Sequence, residues 1–148
     1  MWLVIGYGSL LHSDDRFGRE VAERVLAEAN EVAVEVIAAN QLTPELAEPM
    51  SRAEGVIFVD ASAELRPGSV ECVMLPSSPD CTDGPSAFTH HCTPAMLLQS
   101  ARSLYEHEPP AWLCTVGAET FALGESMSPA VSRAVPQVVT WILERLPG

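Results

Sequence analysis

Short apolar runs alternate with amphipathic stretches along the whole chain. Residues 2–7 (WLVIGY) form a continuous apolar run, as expected of a strand buried on both faces. After a glycine-rich turn, Phe17, Val21, Val25 and Leu26 recur at helical spacing, with Arg19, Glu23, Arg24 and Glu28 between them. Residues 32–40 (VAVEVIAAN) predict a second strand. Residues 42–53 (LTPELAEPMSRA) predict a helix with Thr43 as its N-cap and Pro44 in its first turn. A third strand is expected over 55–62 (GVIFVDAS), apolar until Asp60.

The linker at 64–68 (ELRPG) is too short for a crossover helix. The strand predicted over 69–76 (SVECVMLP) should therefore run antiparallel to the third. Residues 77–91 read as a long loop. Thr93-Pro94 opens another helix that carries AMLLQSARSLY (95–105). Residues 111–118 (AWLCTVGA) predict the fifth strand, and 128–146 the last helix, started by Ser128 and Pro129 and kinked or divided by Pro136. The order β-α-β-α-β-β-α-β-α predicts an α/β fold: three layers, a mostly parallel twisted sheet of about five strands with one antiparallel edge strand, and helices on both faces. No repeat or linker marks a boundary, so residues 1–148 are expected to form a single domain.

A formal charge of -12 on 148 residues narrows the partners. It argues against nucleic acid and anionic membrane, which require basic patches, and suits a cation or a basic protein surface. No apolar run reaches the roughly 18 to 20 residues of a membrane span. The chain enters its first strand with no basic leader. Cys72, Cys81, Cys92 and Cys114 show neither CxxC nor zinc-finger spacing, and Cys72 and Cys114 lie within apolar runs as small hydrophobes. A cytoplasmic, monomeric protein is the expectation.

In open α/β sheets ligands gather at the carboxyl ends of the strands. Asp14 and Asp15 follow the first strand, Asp60 ends the third, and His90 and His91 precede a helix. Two carboxylates and an imidazole suit a borderline divalent cation such as nickel, zinc or manganese, with coordination positions left open. Each residue also has a plain structural role open to it. Asp14 would cap the first helix, Asp15 would favour its dipole, Asp60 would make an Asx turn, and one of the paired histidines would face solvent. His12 and His107 read as surface residues. A phosphate-binding G-x-G-x-x-G fails because Leu11 stands at the third glycine position and no acidic residue closes the second strand. There is no G-x-S-x-G elbow, and Cys92 beside His91 is a poor catalytic pair because sequence neighbours rarely form one.

These residues resemble the hydrogenase maturation endopeptidases, which trim nickel-iron hydrogenase large subunits. GYGSLLHSDDRFG (6–18) matches the family's opening motif, G-x-G-N-x-L-x-x-D-[DE]-x-x-G, with Ser9 in place of the asparagine. VIFVDAS carries the strand-end aspartate, THHCTPAMLLQSA (89–101) the histidine before a Leu-Leu helix, and TVGAETFALGESMSPAV (115–131) the segment before the final helix. The resemblance implies removal of a C-terminal peptide from the large-subunit precursor after nickel insertion. It further implies that Asp15, Asp60 and a histidine contact nickel carried by that substrate, where other divalent cations could also sit. His90 is the choice, because Leu97, Leu98 and Ala101 then fall at the family's helical offsets; His91 is the reserve. Gly6, Gly8, Ser9 and Asp14 would support the turn and the ligands, and Asp15 and Asp60 would act in catalysis through metal or water activation. The alternative is a non-catalytic nickel-binding checkpoint protein of hydrogenase assembly; a nucleotide-binding α/β domain is a weaker third reading.

Overall fold

The computed structural model describes residues 1–29, 34–77 and 92–147. Its described strands make one five-stranded sheet. They are β1 (Trp2–Tyr7), β2 (Val34–Ala39), β3 (Gly55–Ser62), β4 (Val70–Met74) and β5 (Ala111–Gly117), in the order β2-β1-β3-β5-β4. All neighbours are parallel except β4 and β5. The helices are α1 (Phe17–Glu28), α2 (Ala47–Ser51), α3 (Pro94–Tyr105) and α4 (Pro129–Arg145). None of the described helices is long and apolar enough to cross a membrane.

Strand alternation sends side chains to two cores. On one face Val4, Ile57, Val59 and Cys114 pack against Val21 and Val25 of α1 and Val131, Val138 and Ile142 of α4. On the other, Leu3, Ile5, Val56 and Phe58 pack against Met50 of α2 and Leu97 and Leu98 of α3. The three-layer α/β architecture read from the pattern of elements is therefore present. Cys72, Cys92 and Cys114 are free thiols, and Cys81 lies outside the described residues.

Three local expectations change. First, β4 is the antiparallel edge strand, yet its partner is β5 rather than β3. The chain returns through α3 and slots β5 into the gap, giving β3 two parallel neighbours. The short linker tolerates this, since crossing two strand spacings needs only about 10 Å and five extended residues reach about 17 Å. Second, the helix expected over 42–53 is a 3₁₀ turn (Pro44–Leu46) followed by the brief α2. Pro44 and Pro49 each remove an amide donor, which limits regular helix there, and Thr43 sits at the N-cap without a side-chain capping bond. Thr93, by contrast, caps α3 by accepting from the Met96 amide at 3.1 Å. Third, α4 is not divided at Pro136 but runs on as one helix. Pro136 lies on the exposed face, where water can satisfy the carbonyl its ring leaves unbonded.

The helix α1 starts very close to the sheet. A Cβ on Gly6 would lie 1.9 Å from the Gly18 carbonyl oxygen, and one on Gly18 would lie 2.4 Å from that of Val59. Backbone of β1, the first turn of α1 and β3 are thus in direct contact. Gly6→Ala must separate them, at a cost of about 1–3 kcal/mol or more. Urea denaturation should show the midpoint falling with little change in slope; an unchanged midpoint would contradict this packing.

Candidate active site at the carboxyl ends of β1 and β3

The segment between β1 and α1 forms a 3₁₀ turn, Ser13–Arg16, that sends its adjacent aspartates in different directions. Asp14 is fully buried. Its carboxylate accepts from the amides of Glu119 (2.8 Å), Thr120 (3.1 Å) and Ser128 (2.7 Å), and from the Ser128 hydroxyl at 2.9 and 3.0 Å. Burial alone would raise its pKa, but the Ser128 and Glu119 amides, the Ser128 hydroxyl and the Thr120 amide outweigh it and hold the group below the usual value. Asp14 therefore caps no helix; it fastens the first loop to the segment before α4. Further bonds join the same loops: the Ser13 amide to Gly124 O (2.9 Å), the Gly124 amide to Leu11 O (2.8 Å) and the Ser13 hydroxyl to Ala122 O (2.7 Å).

Asp15 points the other way. Its Oδ2 accepts from the Ser9 amide at 2.8 Å. Ser9 in turn uses its hydroxyl to accept from the Leu11 amide (3.1 Å) and to meet His12 Nδ1 at 2.8 Å. The serine standing where the family motif has asparagine thus braces the turn by itself, and the exposed His12 has a partner the sequence did not suggest. Gly8 is required by its backbone, with φ at +146°, and by space. A Cβ there would lie 1.8 Å from Asp15 O and 3.3 Å from Asp15 Oδ1.

Asp60 ends the apolar part of β3. Its Oδ1 accepts from the Ala61 amide at 2.7 Å, and Tyr7 stands on the same cavity wall. Burial is the largest influence on its pKa; Ala61 and Tyr7 oppose it, and the charge of Asp15 adds to it. The net effect pushes Asp60 up to about 6. Tyr7 is pushed well above the usual phenol range by burial and by Asp60, so it remains a donor.

Asp15 and Asp60 line one cavity of about 210 Å³ with Tyr7, Gly8, Asn40, Gln41, Leu42 and Cys92. The two carboxylates that sequence reasoning selected from separate motifs are brought together. His90 and His91 lie outside the described residues, and among the described residues no three His, Cys, Asp or Glu side chains converge closely enough to hold a metal ion. The donor chemistry suits a hard or borderline cation nonetheless, since each carboxylate spends an oxygen on a backbone amide and retains acceptor capacity. Cys92 reaches the cavity, but burial and Glu45 push its thiol pKa up, which disfavours a nucleophilic thiolate. His107 is exposed and approaches the Ala53 carbonyl at 3.3 Å.

The sequence reading missed Tyr7, Asn40, Gln41 and Leu42 as parts of the wall. Tyr7 had a signal, as the hydroxyl at the end of an otherwise apolar strand. The residues after β2 had none, because only the parallel pairing of β1 with β2 brings them to the site.

No family model and no curated protein matches the sequence. Solved structures do match the fold. The NiFe hydrogenase maturation protease HycI of Thermococcus kodakarensis aligns over 97% of this chain and 90% of its own, with a TM-score of 0.75 at 19% identity. The hydrogenase maturating endopeptidase HybD of E. coli aligns over the same shares, 97% and 90%, with a TM-score of 0.75 at 20% identity. The fold is that of the hydrogenase maturation proteases. A hydrogenase 2 maturation peptidase from a Thaumarchaeota archaeon shares this maturation-protease fold over 97% of this chain and 96% of its own, with a TM-score of 0.72 at 23% identity.

Two predictions follow from this geometry. Asp14→Ala strands several buried donors and should cost about 3–5 kcal/mol, lowering Tm by on the order of 10 °C in calorimetry. Because the folded pKa of Asp14 lies below the unfolded one, its stabilisation is complete above the unfolded value of 3.8 and is lost as pH falls through the folded value. Asp60 has the opposite sign. A divalent cation at the Asp15–Asp60 pair needs Asp60 ionised, so affinity should decline as pH falls through about 6. Isothermal titration with Ni²⁺ from pH 7.5 to 5 checks this, and flat affinity would contradict it.

Proposed function

We propose that the protein is an endopeptidase that removes a C-terminal peptide from the large-subunit precursor of a nickel-iron hydrogenase after nickel has been inserted. One observation carries the reading: Asp15 and Asp60, matching two separate motifs of the maturation endopeptidases, line one cavity at the sheet's carboxyl edge. The fold shared with proteins named as hydrogenase maturation proteases supports it. Nickel belongs to the substrate in this reading, and Asp15, Asp60 and His90, with His91 in reserve, are the residues that contact it.

Asp15 is aimed by Ser9 and Asp60 by Ala61, so the two carboxylates face a bound cation with little freedom left to lose. Asp60, above half ionised at neutral pH with a pKa of about 6, is poised to take a proton from water attacking the scissile carbonyl. Asn40 and Gln41 supply amide donors and acceptors on the wall where a peptide backbone would lie. The protein acts as a cytoplasmic monomer that engages its precursor transiently.

The test is cleavage of a large-subunit precursor, with and without nickel, read by mass spectrometry. Loss of a C-terminal peptide from the nickel-loaded form alone is expected. Asp15→Asn and Asp60→Asn should each slow it by about 10²-fold or more. His90→Ala should do the same while His91→Ala should not. An intact precursor that still binds in a nickel-dependent way would replace the peptidase with a checkpoint protein.

A further inference from the structure

Two cysteines face one another near the edge of the sheet, on the side packed by α1 and α4. In the antiparallel register of β4 and β5, Cys72 is the direct partner of Cys114. The Leu75 amide donates to the Ala111 carbonyl at 2.8 Å, and the Gly117 amide to the Ser69 carbonyl at 2.8 Å. Bonded and unbonded pairs alternate along such a ladder, so counting inward from either end makes Cys72 and Cys114 an unbonded pair. Unbonded partners bring their Cα atoms to about 4.5 Å and their side chains closer than bonded partners do. That separation falls within the range of about 4.4–6.8 Å that disulfides span. Both side chains enter the same core, Cys114 buried and Cys72 packed against it. Cys92 packs into the core on the opposite face, so the sheet stands between it and this pair.

We propose that Cys72 and Cys114 are a thiol-oxidation site, which a small disulfide such as oxidised glutathione converts reversibly into a cross-strand disulfide. The Cys72 thiol gives up its proton and attacks one sulfur of the small disulfide. A mixed disulfide forms, and one small thiolate leaves and takes up a proton. Cys114 then loses its proton, attacks the Cys72 sulfur and expels the second small thiol. Two protein thiols are oxidised and one small disulfide is reduced to two thiols, with no other reactant. The two cysteines are unequal in the way this order requires. Cys72 is half-buried on the outermost strand, where a small molecule can reach it, whereas Cys114 is buried and meets only what Cys72 presents. The adjacent Cys114 thiol is the largest influence on Cys72 and lowers its pKa; burial opposes this and the Arg145 charge adds to it. Cys114 moves the other way, pushed up by Cys72 and by burial. Among the described strands β4 is bonded to β5 alone, so it can shift by the few tenths of an ångström that closing the bond needs. A Cα separation of about 4.5 Å lies at the short end of the disulfide range, which keeps the bond reducible.

The experiment incubates the full chain with oxidised glutathione and maps its peptides by mass spectrometry without reduction. The expected product is one pair of peptides joined through Cys72 and Cys114, lighter by two hydrogens and returned to thiols by dithiothreitol. In Cys114→Ala the sequence should stop at the mixed disulfide, so that Cys72 carries one glutathione. Cys72→Ser should leave Cys114 unmodified, because the buried thiol is then out of reach. The wild-type map decides the matter even where a variant fails to fold. The same oxidation in urea gives the contrast, since an unfolded chain pairs its four cysteines without this preference. Oxidised wild type should also melt several degrees higher than reduced, because the bond closes a loop that includes all of α3. Native protein that yields the urea mixture, or that links either cysteine to Cys81 or Cys92, would overturn the proposal. So would wild type that holds glutathione on Cys72 without closing the bond, or that keeps both thiols under oxidised glutathione alone.

Discussion

A carboxylate sealed from water holds this site together. Burying Asp14 unsatisfied would be prohibitive, and only the converging donors of Glu119, Thr120 and Ser128 make the burial favourable. Those donors belong to a segment more than a hundred residues away in sequence, yet they set the position of a turn that closes the first strand. Asp15 is the next residue. Because the two share a tight 3₁₀ turn, anchoring one side chain inward leaves the other projecting into the cavity. The adjacent acidic pair is thus a division of labour, with an inner carboxylate that holds and an outer one that is offered.

The rest of the cavity follows from topology. From β1 the chain moves to β2 on one side of the sheet, then crosses to β3 on the other, so the order reverses around β1. Such a reversal opens a crevice at the carboxyl ends of the strands, and Asp15 and Asp60 stand at its two lips. The bare backbone contacts at Gly6 and Gly18 bring α1 in close enough for the turn to reach the crevice.

Much of this was legible in the sequence, for identifiable reasons. The strands β1 and β3 could be read because their apolar runs are long and unbroken, and Asp60 stood out because it ends the second of them. The partner of β4 could not be read, since a linker's length constrains direction but leaves open what slides in beside it. The partners of Asp14 were equally hidden: most are backbone amides, which carry no residue-type signature, at a distant position in the chain. Asn40, Gln41 and Leu42 are at the cavity for a similar reason, because strand pairing placed them there and no motif announces it.

The insertion of β5 between β3 and β4 has a consequence for how the chain is made. A nascent chain that has emerged only through β4 holds every residue of β1, β2 and β3 but lacks the strand that completes the edge of β3. Nor does it yet contain Ser128, so Asp14 has neither its hydroxyl partner nor that amide. The Glu119 and Thr120 amides are likewise still to come, so the aspartate that later secures the turn has none of its native partners at that stage. Premature termination before β5 therefore leaves a chain with its acidic motif intact in sequence but with the edge of β3 uncovered and exposed to wrong pairing.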